Sequence, residues 1–447
     1  MKRSILLFIF LCYQLNLYGQ EPELNAKLAS YLQVIHRKKV FSGELLVARG
    51  EKILFQKAIG MASYENQLEL KPGAKYKIAS ITKTFTGTLL LMAQSEGLLK
   101  LDDKAIDYIS ELSPQFKDIT IRQLLTHTSG LPHNEGIKEY WQVKSKLQMS
   151  VNEVINEINQ LSLLSTLGSE FHYSSLGYFL LATIIERVYH DAYANVLKQK
   201  ILQPLDMTET GAVNSLTIVK GMAAGYHLVS DDSLVVAPYR NYSMLKGAGD
   251  MYSSAQDLLK WANSFFQNEL LDQKQKPIIF SPNVNAGKYG LGWYVEDGLK
   301  YYHGGGTWGY SSSIAMYPES QISIILLSNV STLPVSDMAD DIEKIVFNQP
   351  FEMPVVQEAQ ASVLPLDTYS GKYISDSGQM ILTISSSNNH LYAQLAGNPA
   401  FEIYPKGDHQ FYGKKIEIEM VFETSQQKVT GLSAERMGRT FHFKAAD

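Results

Sequence analysis

Residues 75–97, KYKIASITKTFTGTLLLMAQSEG, pass from a polar segment into a long apolar one, and at the passage Ser80 stands three residues before Lys83. On a helix that spacing puts the two side chains about 60° apart around the axis, near the same side. A serine hydroxyl is a weak nucleophile until a neighbour takes its proton, and a lysine amine so placed can take it. A helix start adds positive partial charge and free N–H groups, which favour an oxyanion forming nearby. The letters alone are weak evidence. S-x-x-K recurs at Ser243 and Ser425, and an isolated match more often marks a helix cap beside a solvated lysine. Ser243 leads into the glycine-rich KGAGD and Ser425 sits in a turn, so only Ser80 opens an apolar helix.

Before this stretch, Leu24, Leu28, Leu32 and Ile35 fall at helical spacing, and FSGELLVARG and KILFQKAIG read as two strands joined by a short turn. From about residue 76 to 205 the pattern is mainly helical, GYFLLATIIERVYH included. After about residue 285 strands return in YGLGWYV, SSSIAMYP and QISIILLSN, and PVSDMADDIEKIVFN closes with a helix. An α/β layer split by a helical insertion is expected. Prolines and a lack of periodicity mark residues 349–362 as a linker. Beyond it, short alternating runs such as QMILTIS, HLYAQLA and KIEIEMVFE predict a small antiparallel β-domain over residues 363–447, a barrel or a sandwich.

The chain of 447 residues, 45% hydrophobic and 19% charged, can bury a full core. Lys2 and Arg3 followed by an apolar run from Ile5 to Cys12, shorter than the roughly 20 residues a membrane span needs, read as a signal peptide over residues 1–19. The protein is therefore expected to be exported, periplasmic or extracellular, with no stable membrane span. Its only cysteine, Cys12, leaves with that segment, which excludes disulfides and a cysteine nucleophile. The formal net charge of -5 and the scattered Lys and Arg argue against nucleic acid as a partner. His127 and His133 are six apart and no H-E-x-x-H occurs, so no metal is expected, and His127 reads as a structural residue of its turn. Ser254 with Asp257 reads as a helix capping box.

IRQLLTHTSGLP (121–132), EFHYSSLGYFLLATIIE (170–186), YGLGWYV and HGGGTWGYSSS (303–313) follow the opening motif in a fixed order. With them the chain resembles the serine β-lactamase and penicillin-binding protein superfamily, in its class C-like branch of D-amino-acid peptidases, esterases and β-lactamases. The resemblance covers roughly residues 25–347. It implies a β-lactamase/transpeptidase-like α/β fold over residues 20–348, an antiparallel sheet flanked by helices plus a helical subdomain, and a lipocalin-like C-terminal domain.

The resemblance also implies roles. Ser80 would be the acylated nucleophile and Lys83 would assist its deprotonation. The family's Tyr-x-Asn reads Tyr173-Ser174-Ser175 here, with Ser in place of Asn. Tyr173 is the candidate base or proton relay, a phenol between positive groups sharing its proton more readily. Ser175 would bond Lys83 or a substrate amide. The usual Lys-Thr-Gly matches His303, Gly304 and Gly305, placing His303 and Gly305 against substrate, with the N–H groups of Ser80 and Gly306 as oxyanion hole. His303 would hold a substrate carboxylate only on the acidic side of an ordinary imidazole pKa of about 6.5. A cofactor-free serine hydrolase acting through an acyl-enzyme follows, on small D-amino-acid peptides or related esters. A slowly deacylating sensor of the same family is the alternative.

Overall fold

The structure is a computed structural model that describes residues 21–37, 41–213, 217–230, 233–283, 285–296, 298–331, 335–354, 360–376, 378, 380–395, 400–413, 418–426, 428–436 and 439–446. The expected signal peptide, with Cys12, lies outside the described residues, as does part of the expected linker. The chain forms two compact units. One holds residues 42–226 and 236–351 with the segment up to Ser30, and the other holds residues 31–41, 227–235 and 352–447.

Helix α1 (Glu21–Arg37) precedes a hairpin of β1 (Gly43–Arg49) and β2 (Lys52–Ile59), as the periodicity predicts. The chain then leaves the sheet for a largely helical region that carries α2 (Thr82–Ser95), α3 (Ser175–Tyr189) and α4 (Ala255–Gln267). It returns as β3 (Tyr294–Glu296), β4 (Lys300–Thr307), β5 (Tyr310–Tyr317) and β6 (Ile322–Ser328), and α5 (Val335–Val346) follows. The six strands form one antiparallel sheet in the order β3-β4-β5-β6-β1-β2. Gly43 pairs with Ser328, so the first strand is zipped to the last across the whole insertion.

Alternation sorts the sheet into two faces. Leu46, Ala48, Ile325 and Leu327 join the large core that includes α2, α3 and α4, while Leu45, Val47 and Leu326 are buried on the other side. YGLGWYV yields a strand only from Tyr294 on, and the glycine-rich HGGGT lies inside β4. Glycine has no side chain to oppose an extended backbone, and here an edge strand needs the close approach that it allows.

In the second unit β7 (Gly371–Ser375), β8 (Ile381–Ser387), β9 (His390–Leu395), β10 (Phe401–Gly407), β11 (Gln410–Gly413), β12 (Ile418–Ser425), β13 (Lys428–Arg436) and β14 (Arg439–Ala445) each pair with the next. β7 also pairs with β14, closing an up-and-down barrel of the lipocalin-like kind, with no free edge. Between barrel and sandwich the structure is a barrel. Its interior is a packed core of Tyr369, Leu391, Phe411, Phe422 and Leu432 among others, as fits a barrel of eight strands.

Candidate active site

α2 is buried on nearly every side, Thr82 through Leu91, as an apolar helix in the middle of a large core must be. Trp261 of α4 fixes it by stacking on Phe85 at 4.1 Å and donating its indole N–H to Thr84 Oγ1 at 3.0 Å. Just before it, residues 79–81 make one tighter 3-10 turn. Ala79 has φ +46°, a left-handed conformation that costs a residue with a Cβ on the order of 1 kcal/mol. Ser80 caps neither turn nor helix. Its hydroxyl faces Lys83 instead, which sets aside the reading of this pair as a cap and a solvated lysine.

Lys83 has no exposed surface. Its Nζ donates to the Ala248 carbonyl at 2.7 Å and lies 3.2 Å from both Ser80 Oγ and Ser175 Oγ. Burial pushes its pKa well below the usual lysine range, the Arg240 charge adds to this, and the Asp250 carboxylate opposes it. Asp250 is itself buried and pushed up to about 7. A neutral Lys83 can accept the Ser80 proton.

Tyr173 closes the other side, its ring centroid 4.8 Å from Lys83 Nζ and its hydroxyl hydrogen-bonded with Ser80. Its pKa is raised by burial, more than the Ser80 hydrogen bond lowers it. The expectation of an easily lost phenol proton is thus reversed: desolvation outweighs the nearby amine, and Tyr173 rests as a neutral phenol.

The segment holding Tyr173 and Ser175 is clamped by His127, which accepts from the Ser174 N–H at Nδ1 (3.1 Å) and receives the His172 N–H on its carbonyl (2.8 Å). His127 is buried at φ +57°, so it acts as the turn residue the sequence suggests. Ser174 caps α3 by accepting from the Gly177 N–H. Ser175 therefore points at Lys83 from the first turn of α3, and its Oγ also meets His133 Nε2 at 3.2 Å. His133 Nδ1 in turn bonds the Glu135 carboxylate.

β4 forms the opposite wall. β3 pairs with it only as far as Tyr302, so Gly304–Thr307 are open on that edge, and the turn bearing Ser80 seats there. Gly305 is required by contact: a Cβ would press into the Ile78 carbonyl oxygen and stand 3.1 Å from the Ser80 nitrogen. Gly305→Ala is expected to destabilise by about 1–3 kcal/mol, through overpacking that pushes the Ser80 turn off β4. A thermal melt beside a serine-labelling assay checks it, and both signals should fall. Gly306 is exposed with open space where a Cβ would be, so its backbone is reachable from solvent.

His303 lies on the side of β4 that carries Tyr173 and Lys83, but its ring nitrogens are engaged by the protein itself. It is buried, its Nε2 3.0 Å from the Tyr289 hydroxyl and its Nδ1 2.6 Å from the Gly304 carbonyl oxygen. Desolvation and the neighbouring Lys83 push its pKa down to about 3, so it stays neutral from pH 5 to 8. The expected pH-gated carboxylate anchor at His303 is not supported: the imidazole shares the Gly305 face of β4, its ring 6.4 Å from that of Tyr173, but desolvation keeps it from taking up a proton on the acidic side. A buried cation lies elsewhere. Arg240, 8% exposed, donates to Thr307 Oγ1 (3.1 Å) and to the Tyr140 hydroxyl (2.6 Å), and no carboxylate among the described residues lies within ion-pair distance of it. It borders a cavity of about 410 Å³ with Lys77, Tyr242, Trp308 and Tyr310. Sequence reading missed both Arg240 and His133. Nothing in their local patterns separates them from surface residues.

The two other S-x-x-K matches are structural: Ser243 Oγ accepts from the Met149 N–H, and Ser425 pairs with Lys428 across a hairpin. Ser254 caps α4 as expected, but the Asp257 carboxylate accepts from the Glu209 N–H and the Thr210 hydroxyl instead of closing a capping box. No cluster of potential metal ligands is found among the described residues. No described helix is long and apolar enough to cross a membrane.

The beta-lactamase family matches residues 26–347, which span every residue of the site. The chain belongs to that family. It is a serine hydrolase of the β-lactamase and penicillin-binding protein superfamily. Penicillin-binding protein 4* of Bacillus subtilis (strain 168) is 28% identical over 424 residues, which are 88% of this chain and 93% of that protein. Among solved structures, the octameric penicillin-binding protein homologue from Pyrococcus abyssi superposes with a TM-score of 0.65 at 20% identity, covering 95% of this chain and 99% of its own. D-amino acid amidase from Ochrobactrum anthropi SV3, complexed with D-phenylalanine, has a TM-score of 0.62 at 22% identity over 73% of this chain and 99% of its own. At these identities the two structures speak for the fold.

Proposed function

We propose that this chain is an exported hydrolase that cleaves amide or ester bonds of small D-amino-acid peptides or related esters through an acyl-enzyme on Ser80. The observation that carries the reading is the fully buried Lys83, its Nζ 3.2 Å from Ser80 Oγ and its pKa pushed down by that burial. Ser80 attacks the carbonyl as Lys83 takes its proton. Tyr173, a neutral phenol bonded to Ser80, donates to the leaving group and afterwards helps activate water. The N–H groups of Ser80 and Gly306 receive the oxyanion. A D-amino acid amidase with D-phenylalanine among the structural neighbours supports the substrate class.

In this reading Arg240 takes the part that the family resemblance implied for His303. It is a permanent cation beside a cavity with aromatic walls, close to Thr307 of β4 and to Lys77, three residues before Ser80. A free carboxylate on the substrate would pair with it. Losing one partner of a desolvated charge pair costs about 2–5 kcal/mol, or roughly 30-fold or more in affinity. Arg240→Gln is therefore expected to raise KM at least that much for a substrate with a terminal carboxylate, and under threefold for the matched carboxamide. Because a guanidinium offers no proton to lose in water near neutrality, the carboxylate preference should be flat from pH 6 to 8. Equal KM changes for both substrates would remove Arg240 from recognition.

A further inference from the structure

A neutral lysine amine has two N–H donors and one lone pair, and Lys83 has three neighbours to share them. The Ala248 carbonyl can only accept, so it takes one N–H. The lone pair is free for the Ser80 hydroxyl only if Ser175 accepts the other N–H. Ser175 accepts there if its own hydroxyl proton points away from Lys83, and the group on that side is His133 Nε2 at 3.2 Å. His133 Nδ1 meets the Glu135 carboxylate, which can only accept, so the imidazole proton sits on Nδ1 and Nε2 carries a lone pair. Every hydrogen bond in the row is then donated in one direction, from the buried nucleophile to the surface carboxylate.

We propose that Glu135, His133 and Ser175 form a proton relay that turns the Lys83 lone pair toward Ser80 and takes up the proton Lys83 receives. The inference rests on the reading of Ser80 as nucleophile and adds residues to it. As Ser80 Oγ bonds to the carbonyl carbon, its proton moves to Lys83. Lys83 passes a proton to Ser175 Oγ, whose own proton moves to His133 Nε2. A neutral lysine and an imidazolium held against Glu135 result, with no charge left on the buried amine. The reverse shifts return the proton through Lys83 to Tyr173, which gives its own phenol proton to the departing nitrogen or oxygen as the bond to carbon breaks. His133 and Glu135 are partly exposed, with side chains 35% and 48% accessible, so the outer end of the row can exchange with water.

Protonating His133 beforehand reverses the row. An imidazolium donates at Nε2, Ser175 then donates to Lys83, and the lone pair is drawn away from Ser80. The charged and titratable groups around His133 are Glu135 on its own turn and Tyr173, whose ring stacks at 5.7 Å, with His127, Lys83 and Arg240 at longer range. His133 and Ser175 are positioning residues here, since they act through Lys83.

The test follows the rate at which a fluorophosphonate labels Ser80 between pH 5.5 and 8.5, in the full chain and in His133→Gln. Glutamine keeps an accepting oxygen and cannot ionise. Acid reverses the row in the wild type alone, so the ratio of variant to wild-type rate should rise about fivefold or more from pH 8 to 5.5. Taking the ratio cancels the titration of Lys83 itself. Glu135→Gln, which removes the carboxylate favouring imidazolium, should move the wild-type fall to lower pH. If His133→Gln does not fold, Ser175→Ala breaks the same row at its middle and must show the same rising ratio. A ratio independent of pH, in whichever variant folds, overturns the relay and leaves the hydrolase reading standing. No labelling of Ser80 at any pH takes down both.

Discussion

Ser80→Ala is expected to lower turnover of any amide or ester substrate by on the order of a millionfold, the scale seen when a serine nucleophile is removed from its catalytic unit. The size follows from interdependence. Lys83, Tyr173 and the β4 edge all converge on one oxygen, and without it the neutral amine has no proton to take. Folding should scarcely change, because the Ser80 side chain caps no helix. Label from a fluorophosphonate should disappear from the peptide containing residue 80 and appear nowhere else. Activity surviving within tenfold, or an adduct mapped to Ser243 or Ser425, would assign the chemistry elsewhere.

Much of this site was legible because its residues announce local structure. Ser80 and Lys83 stand where a polar segment becomes an apolar helix, and Tyr173 and Ser175 stand at the start of another. Both starts exist in the structure, and packing of α2 on α3 brings them together. The barrel was legible in part: alternation gives strands, but closure is a pairing of β7 with β14 across most of the unit, which no local pattern encodes.

What failed was long-range packing and electrostatics. His303 stands on the same face of β4 as Gly305, yet its burial and its contact with the Tyr289 hydroxyl come from a residue outside its own motif. His133 reaches Ser175 from 42 residues away, and Arg240 reaches Thr307 from 67. Neither sits in a periodic segment. The depressed pKa of Lys83 was equally invisible, since it arises from burial by elements scattered along the chain.

Tyr173→Phe separates proton transfer from packing, and its expected effect is the next largest. The ring packs against His127 at a centroid distance of 4.3 Å and covers Lys83 Nζ at 4.8 Å, and phenylalanine keeps both contacts. Only the hydroxyl is lost. Because burial raises the phenol pKa, the resting hydroxyl is protonated throughout the working range, so Tyr173 enters the reaction as a donor. Its loss should be felt most where the leaving group needs a proton. Proton-relay groups contribute on the order of 100- to 10,000-fold, and the upper part of that range is expected for an amide, whose leaving nitrogen is a strong base. An aryl ester, whose phenolate departs unaided, should lose far less in acylation. The measurement is kcat/KM for an anilide or alkyl amide beside a nitrophenyl ester of the same acyl group, in wild type and variant, with Tm as control. A selective loss on the amide assigns the donor role. Equal losses on both substrates would move Tyr173 to activating Ser80, and a fall below threefold on both would leave it a packing residue.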